Sequence, residues 1–241
     1  MFVHFQGIVL NTIRYSDRQN IVRVLTDEMG LVSFAVAQGP GRGARALASA
    51  LMPLSVIEAV ANVRPGRELA SMRDVRRSLD TGDIYANPVK TAVAMYVTEL
   101  LWHTIVGQQR DRALFEYVLS AIEVLNRMRR GAANFHLCFT FGLAARLGIR
   151  PDMATYSDGS WFDMEGGVFS RYPTERGQWL PPERARVIVL LSRMTMRNLY
   201  LFRFTREQRN EVLTTMLNYF RLHHPAVGTM RSVEVLRQVF D

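Results

Sequence analysis

The stretch Leu31-Val32-Ser33-Phe34-Ala35-Val36-Ala37, followed by Gly39-Pro40-Gly41-Arg42-Gly43, decides the fold. Val32, Phe34 and Val36 alternate with Ser33, Ala35 and Ala37, the period of two expected of a strand with one buried face. The glycine-proline run after it reads as a flexible loop. Working outward, Phe2–Tyr15 and Asn20–Thr26 are β-branched runs broken at Ser16-Asp17 and Met29-Gly30. Leu54–Ala61 and Glu68–Val75 follow, split by Arg64-Pro65-Gly66-Arg67. Five short strands in about 80 residues predict a small closed barrel of the oligonucleotide-binding (OB) type.

From Asn87 the period becomes helical. Asn87-Pro88 is a start signal, an N-cap followed by proline at the first helical position. Val93, Tyr96, Val97, Leu100 and Leu101 then form an apolar stripe. Further helices are expected at about Arg112–Met128 and at about Asn134–Leu147, the latter closed by Gly148 with Pro151 beyond. Residues 152–180 differ: Ser160–Glu165 and Val168–Tyr172 flank Gly166-Gly167 as a hairpin would. Helices return at Pro182–Leu201, Thr205–His223 and Ser232–Phe240, and Thr205 with Gln208 forms a capping box. The expected class is α+β: an OB-fold domain over residues 1–80, then a mainly helical domain over 81–241 with a small hairpin insertion at about 152–180.

The chain has 241 residues, 48% of them hydrophobic, enough to bury a core. The longest apolar stretches are interrupted by charge, so no membrane span is expected. One cysteine, Cys138, excludes a disulfide framework and a Cys-rich zinc module. A cytoplasmic setting follows. Thirty Lys+Arg against 22 Asp+Glu give a formal charge of +8, and Lys90 is the only lysine. Guanidinium forks onto phosphates and stacks on bases better than an ammonium does. A GC-rich genome also produces such an Arg:Lys ratio, though not the net excess.

No catalytic constellation stands out. The 39–43 loop lacks both the P-loop spacing with its Lys-Ser/Thr and a full G-x-G-x-x-G pattern. His136 and Cys138 are two apart and diverge on a helix. Asp163 and Glu165 share a strand face that reads as solvated rather than cation-binding. Arginine placement is more informative. Arg42 and Arg45 lie in or beside the glycine loop, Arg64 and Arg67 flank the next turn, and Arg73, Arg76 and Arg77 end the last strand. With Arg14 and Arg18 they suit a phosphate-tracking groove on an OB barrel. Arg186, Arg193 and Arg197, at i, i+7 and i+11, share a helical stripe about 40° wide. Leu190 at its edge leaves a structural role for that stripe equally open.

Gly7-Ile8-Val9-Leu10, Tyr15-Ser16-Asp17, Leu25-Thr26, Gly30, the Gly39 loop and Leu51-Met52-Pro53-Leu54 are similar to the N-terminal barrel of the RecO recombination mediators. Thr98-Glu99-Leu100-Leu101, Leu114-Phe115, Leu147-Gly148-Ile149-Arg150-Pro151, Gly166-Gly167-Val168-Phe169 and Arg231-Ser232-Val233-Glu234-Val235-Leu236 continue the resemblance along essentially the whole chain. It implies a non-enzymatic protein that binds single- and double-stranded DNA and anneals complementary strands. With RecR, such a protein loads RecA onto strands coated by single-strand-binding protein (SSB). The chain is expected to be a monomer alone and to join the nucleoid during repair.

The resemblance also implies a small module that in many members holds zinc through four cysteines. Residues 152–180 contain none, so a zinc-less variant with no metal or other cofactor is expected. A second departure is Gln38, where many members carry a basic residue. The SSB tail is expected on the third helix, with Leu137, Phe141 and Leu143 as pocket walls and Arg129, Arg130 and Arg146 at the lip. Two other classes stay open at this point: a protein-binding adaptor with an incidental basic surface, and a metal-independent hydrolase in the helical part.

Overall fold

Alternation in the first eighty residues builds β1 (Phe2–Ser16), β2 (Gln19–Thr26), β3 (Gly30–Ala37), β4 (Val56–Asn62) and β5 (Leu69–Arg77) in this computed structural model. It describes residues 1–63, 69–105, 107 and 109–239. The strands close into a barrel in the order β1-β2-β3-β5-β4, antiparallel except for the β3–β5 pair. This is the OB-fold barrel. β1 pairs with β2 along its second half and with β4 along its first. At Gly7 and Ile8 it is flanked on both sides: Gly7 faces Thr26 and Ile57, and Ile8 faces Leu25 and Val56. A Cβ at position 7 would run into Val24 Cγ1 and the Phe5 ring. Phe5, Val9, Val22, Val24, Val32, Phe34, Val36 and Ile57 fill the interior, with Phe5 and Phe34 stacked at 5.3 Å.

The glycine loop is shorter than the sequence suggests. Its second half is the start of α1 (Arg42–Ala50), which buries little beyond Ala50. Asn87 caps α3 (Pro88–Thr104) as expected, accepting from the Val89 and Lys90 N–H groups at 3.0 and 3.2 Å. A short helix, α2 (Gly82–Ala86), precedes it and α4 (Arg112–Arg127) follows. The compact units divide after Arg127: the first is Met1–Arg127 and the second Met128–Asp241. The change from strands to helices near residue 80 therefore falls inside the first unit. There α3 packs on β1, and the Arg23 guanidinium lies 3.7 Å from the centre of the Trp102 ring. Lys90 is buried and its ammonium donates to the Asn126 carbonyl at 2.7 Å, a cation at the C-terminal end of α4.

The second unit is built around α5 (Ala132–Arg146), apolar on nearly all sides. On it pack α6 (Pro182–Ser192) and α7 (Arg206–His223); α6 in turn meets a three-stranded sheet in the order β7-β6-β8, and α8 (Ser232–Val239) ends the unit. The sheet comprises β6 (Trp161–Asp163), β7 (Val168–Ser170) and β8 (Trp179–Leu180), so the expected hairpin gains a third strand. The capping box at Thr205 and Gln208 is formed at the start of α7. The helix expected over Pro182–Leu201 stops at Ser192. Asn198 accounts for the stop: its Oδ1 accepts the Thr195 N–H at 2.7 Å and its Nδ2 donates to the Arg193 carbonyl at 3.0 Å. These side-chain bonds replace helical ones. A 3-10 turn, Leu199–Leu201, follows.

Rings hold the 152–180 module. Phe162 and Phe169 lie 4.9 Å apart, Tyr156 meets Phe169 edge-on at 5.1 Å, and Phe162 meets Tyr219 at 5.7 Å. The Tyr219 hydroxyl donates to the Ile149 carbonyl at 2.7 Å. The donor set does not fit the zinc that the resemblance implies. The module has no thiolate, and among the described residues no three His, Cys, Asp or Glu side chains are grouped to hold a metal ion. The melting temperature should therefore be unchanged by a strong chelator, whereas Phe162→Ala should cost about 3–5 kcal/mol in urea unfolding.

His136 on α5 is fully buried, and its pKa is pushed down to about 3, chiefly by desolvation and then by the nearby Arg209. The folded chain thus keeps His136 neutral where the unfolded chain, titrating near 6.5, takes up a proton. Stability should therefore fall as pH drops from about 6.5 toward 3, by up to about 1.4 kcal/mol per pH unit from this group. Urea midpoints between pH 7 and 4 should show that loss, and His136→Gln should reduce its slope.

Candidate nucleic-acid interface

The two ends of β2 differ in charge. Eight residues at about 3.3 Å each separate the β1–β2 turn from the β2–β3 turn by roughly 25 Å. At the first turn Arg18 is exposed, and its carbonyl accepts the Gln38 N–H at 2.8 Å. That bond sets the turn beside the segment leading into α1, where Arg42 and Arg45 project from the first helical turn. They thus stand on a helix, not in a flexible loop. The far end of α1 is tied to the barrel by Arg77, whose guanidinium donates to the Ser49 carbonyl at 2.9 Å and to the Ser49 hydroxyl. Among the described residues Arg18, Arg42, Arg45 and Arg77 have no carboxylate partner.

The opposite end is acidic. A groove of about 810 Å³ there is lined by Asp27, Glu28, Glu58 and Asp74 together with His4 and Arg76. Burial raises the Asp27 pKa while its carboxylate accepts the Gln6 N–H at 2.9 Å. Arg110 reaches the Asp27 carbonyl and the Glu28 carboxylate, each at 3.0 Å. Arg73, Arg76 and Arg110 pair with Asp74, Glu58 and Glu28, so this groove offers phosphate little net positive charge.

The other sequence candidates separate into groups. Arg14 is paired with Asp17 at 2.6 Å, and Arg76 with Glu58 at 2.7 Å. Arg73 lies 3.6 Å from Asp74 and over the Phe2 ring. Arg64 and Arg67 lie outside the described residues. Arg193 is the C-cap of α6 and Arg197 lies in the turn beyond it, so the stripe with Arg186 does not run along one helix. Arg129 and Arg130 precede α5 on the surface, and Arg146 is exposed in its last turn. Leu137 and Leu143 are wholly buried and Phe141 nearly so, and these three belong to the core of the second unit. What sequence reading missed is a cavity of about 620 Å³ between α6 and α7, with Arg184, Arg186, Val187, Leu190, Phe204 and Val212 in its lining. The signal for it was the exposed Leu190 beside Arg186.

A closed OB barrel followed by a helical unit is an architecture used by nucleic-acid-handling proteins. Residues 1–78 match the family described as recombination protein O N terminal, and residues 86–227 the one described as recombination protein O C terminal. The chain is 33% identical over 235 residues, 98% of each chain, to the DNA repair protein RecO of Phocaeicola vulgatus. It is 30% identical over 241 residues, the whole of both chains, to that of Azobacteroides pseudotrichonymphae. The figure is again 30%, over 247 residues and the whole of both, for that of Porphyromonas gingivalis. The chain belongs to the RecO family, a family of DNA repair and recombination mediators rather than of enzymes.

Proposed function

We propose that this chain binds single- and double-stranded DNA, anneals complementary strands and, with RecR, helps load RecA onto SSB-coated single strands, working at the nucleoid in the cytoplasm. One observation supports the reading: Arg18 at the β1–β2 turn, Arg42 and Arg45 at the start of α1 and Arg77 at its far end have no carboxylate partner among the described residues, while Asp27, Glu28, Glu58 and Asp74 line a groove by the β2–β3 turn. Few barrel rings can take part. Phe5 and Phe34 are buried in each other's faces, leaving Phe2 and Tyr15 exposed. The barrel's share of the affinity therefore rests on phosphate neutralisation.

A single-stranded oligonucleotide titrated by fluorescence anisotropy at several salt concentrations tests this. About four neutralised phosphates give a log K against log salt slope near −3. Arg42→Ala with Arg45→Ala should weaken binding and flatten that slope by about one unit or more. An unchanged slope would remove α1 from the site. A salt-independent or absent interaction would favour the adaptor reading instead.

For the SSB tail, acidic and ending in an apolar aromatic residue, the cavity between α6 and α7 is the better-suited place. It has apolar walls for a ring, and Arg184 and Arg186 at its edge. Their present partners, Glu211 at 3.2 Å and Asp158 at 3.3 Å, are exposed pairs that a peptide carboxylate can replace at little cost. Arg184→Glu with Arg186→Glu should weaken a labelled tail peptide about tenfold or more. Oligonucleotide binding should stay within about twofold.

A further inference from the structure

Two stretches of the second unit carry arginines and no carboxylate. Between Arg184 and Arg206 there are six arginines and no Asp or Glu, and between Met128 and Pro151 there are four and again none. The fold lays one on the other. Gly131 has φ +82°, and a Cβ there would stand 2.6 Å from Leu199 Cδ1 and 2.9 Å from the Tyr200 Cα and Cβ. Only glycine permits this approach. The Asn134 amide fixes it by donating to the carbonyls of Leu199 at 3.1 Å and Phe202 at 2.7 Å. Arg209 in turn holds the Asn134 Oδ1 at 3.2 Å. Arg129 and Arg130, next to Gly131 in the chain, are thereby brought beside the turn that carries Tyr200. The Asn198 bonds that end α6 keep Arg193 and Arg197 on the same turn.

This surface is unusual in two ways. Tyr200 and Leu201 are 55% and 63% exposed although they are large and apolar. Among the described residues Arg129, Arg130, Arg193 and Arg197 have no ion-pair partner, whereas Arg184 and Arg186 are paired. An uncovered ring with unneutralised guanidinium groups around it is the pairing of features that single-stranded nucleic acid exploits. A base lies on the ring while the flanking phosphates meet the cations.

We propose that this surface is a second single-stranded-DNA site, on the helical unit, with Tyr200 as stacking platform and Arg129, Arg130, Arg193 and Arg197 as phosphate contacts. It rests on the reading that the chain binds DNA. A duplex has no unpaired base to offer the ring, so the preference is for single strands. An aromatic peptide side chain wants an enclosed pocket, which an exposed ring does not provide. With the barrel end, each chain then has two places for a strand, as bringing complementary strands together requires.

The full-length chain is titrated with a twenty-residue oligothymidylate, and a version bearing 5-iododeoxyuridine is cross-linked by light and mapped. Tyr200→Ala keeps the Cβ against Gly131 and should melt within about 2 °C of wild type. It should weaken binding about fivefold to tenfold, while Tyr200→Phe, which keeps the ring, stays within about twofold. Arg129→Ala with Arg197→Ala should flatten the salt slope by about 1.4. Cross-links should include Tyr200. Wild-type binding with Tyr200→Ala unaffected and cross-links confined to residues 1–127 would overturn the second site. So would a Tyr200→Ala chain that loses an acidic peptide but not the oligonucleotide. Failure of the wild type to bind any oligonucleotide would instead overturn the parent reading, and this one with it.

Discussion

Barrel closure depends on β1 being hydrogen-bonded along both edges where Gly7 and Ile8 sit. A strand shared in this way must coil tightly, and the missing Cβ of Gly7 makes room for Val24 and Phe5 on the inside of the coil. Phe5 can then lie flat on Phe34, and the largest rings of the barrel are spent on its interior. The consequence reaches the surface. With Phe5 and Phe34 inside, Phe2 and Tyr15 are the rings the barrel leaves outward, so its outer contacts are chiefly ionic.

Ionic contacts are selective only if the wrong surfaces are neutralised. Arg14, Arg73 and Arg76 each face a carboxylate, and Arg110 is held by the β2–β3 turn. Exposed pairs of this kind contribute little to stability. Their effect is electrostatic: they cancel charge along part of the barrel, while Arg18, Arg42, Arg45 and Arg77 have no carboxylate partner among the described residues. Net charge describes the chain as a whole; the distribution of ion pairs shows which of its arginines lack a carboxylate partner among the described residues.

Much of this was legible in the sequence. The strands were readable because alternation of Val32, Phe34 and Val36 has one structural meaning, and Asn87-Pro88 and Thr205/Gln208 named two helix starts through their side-chain chemistry. α1 was missed because Gly39, Gly41 and Gly43 introduce it and its apolar face is short, with Leu47 half-buried and Ala50 and Leu51 buried at its end. The overlong helix over Pro182–Leu201 kept a helical arginine spacing right through the residues that end it. Only the Asn198 side chain, whose bonds depend on the turn it makes, distinguishes the two outcomes. The burial of the expected pocket walls was not legible for a different reason. α5 is apolar all round, so periodicity could not say that Leu137 and Leu143 face inward with everything else.

The buried Lys90 leaves the chain with no surface lysine at all. Acylation, isopeptide tagging and amine-directed cross-linkers therefore find no side-chain handle on it, and control of its charge through lysine modification is closed off. Arginine-selective dicarbonyl reagents have the opposite property. They would report on the open cations rather than the paired ones, so a footprint taken with and without an oligonucleotide reads which arginines it covers, if it binds, directly from the native chain.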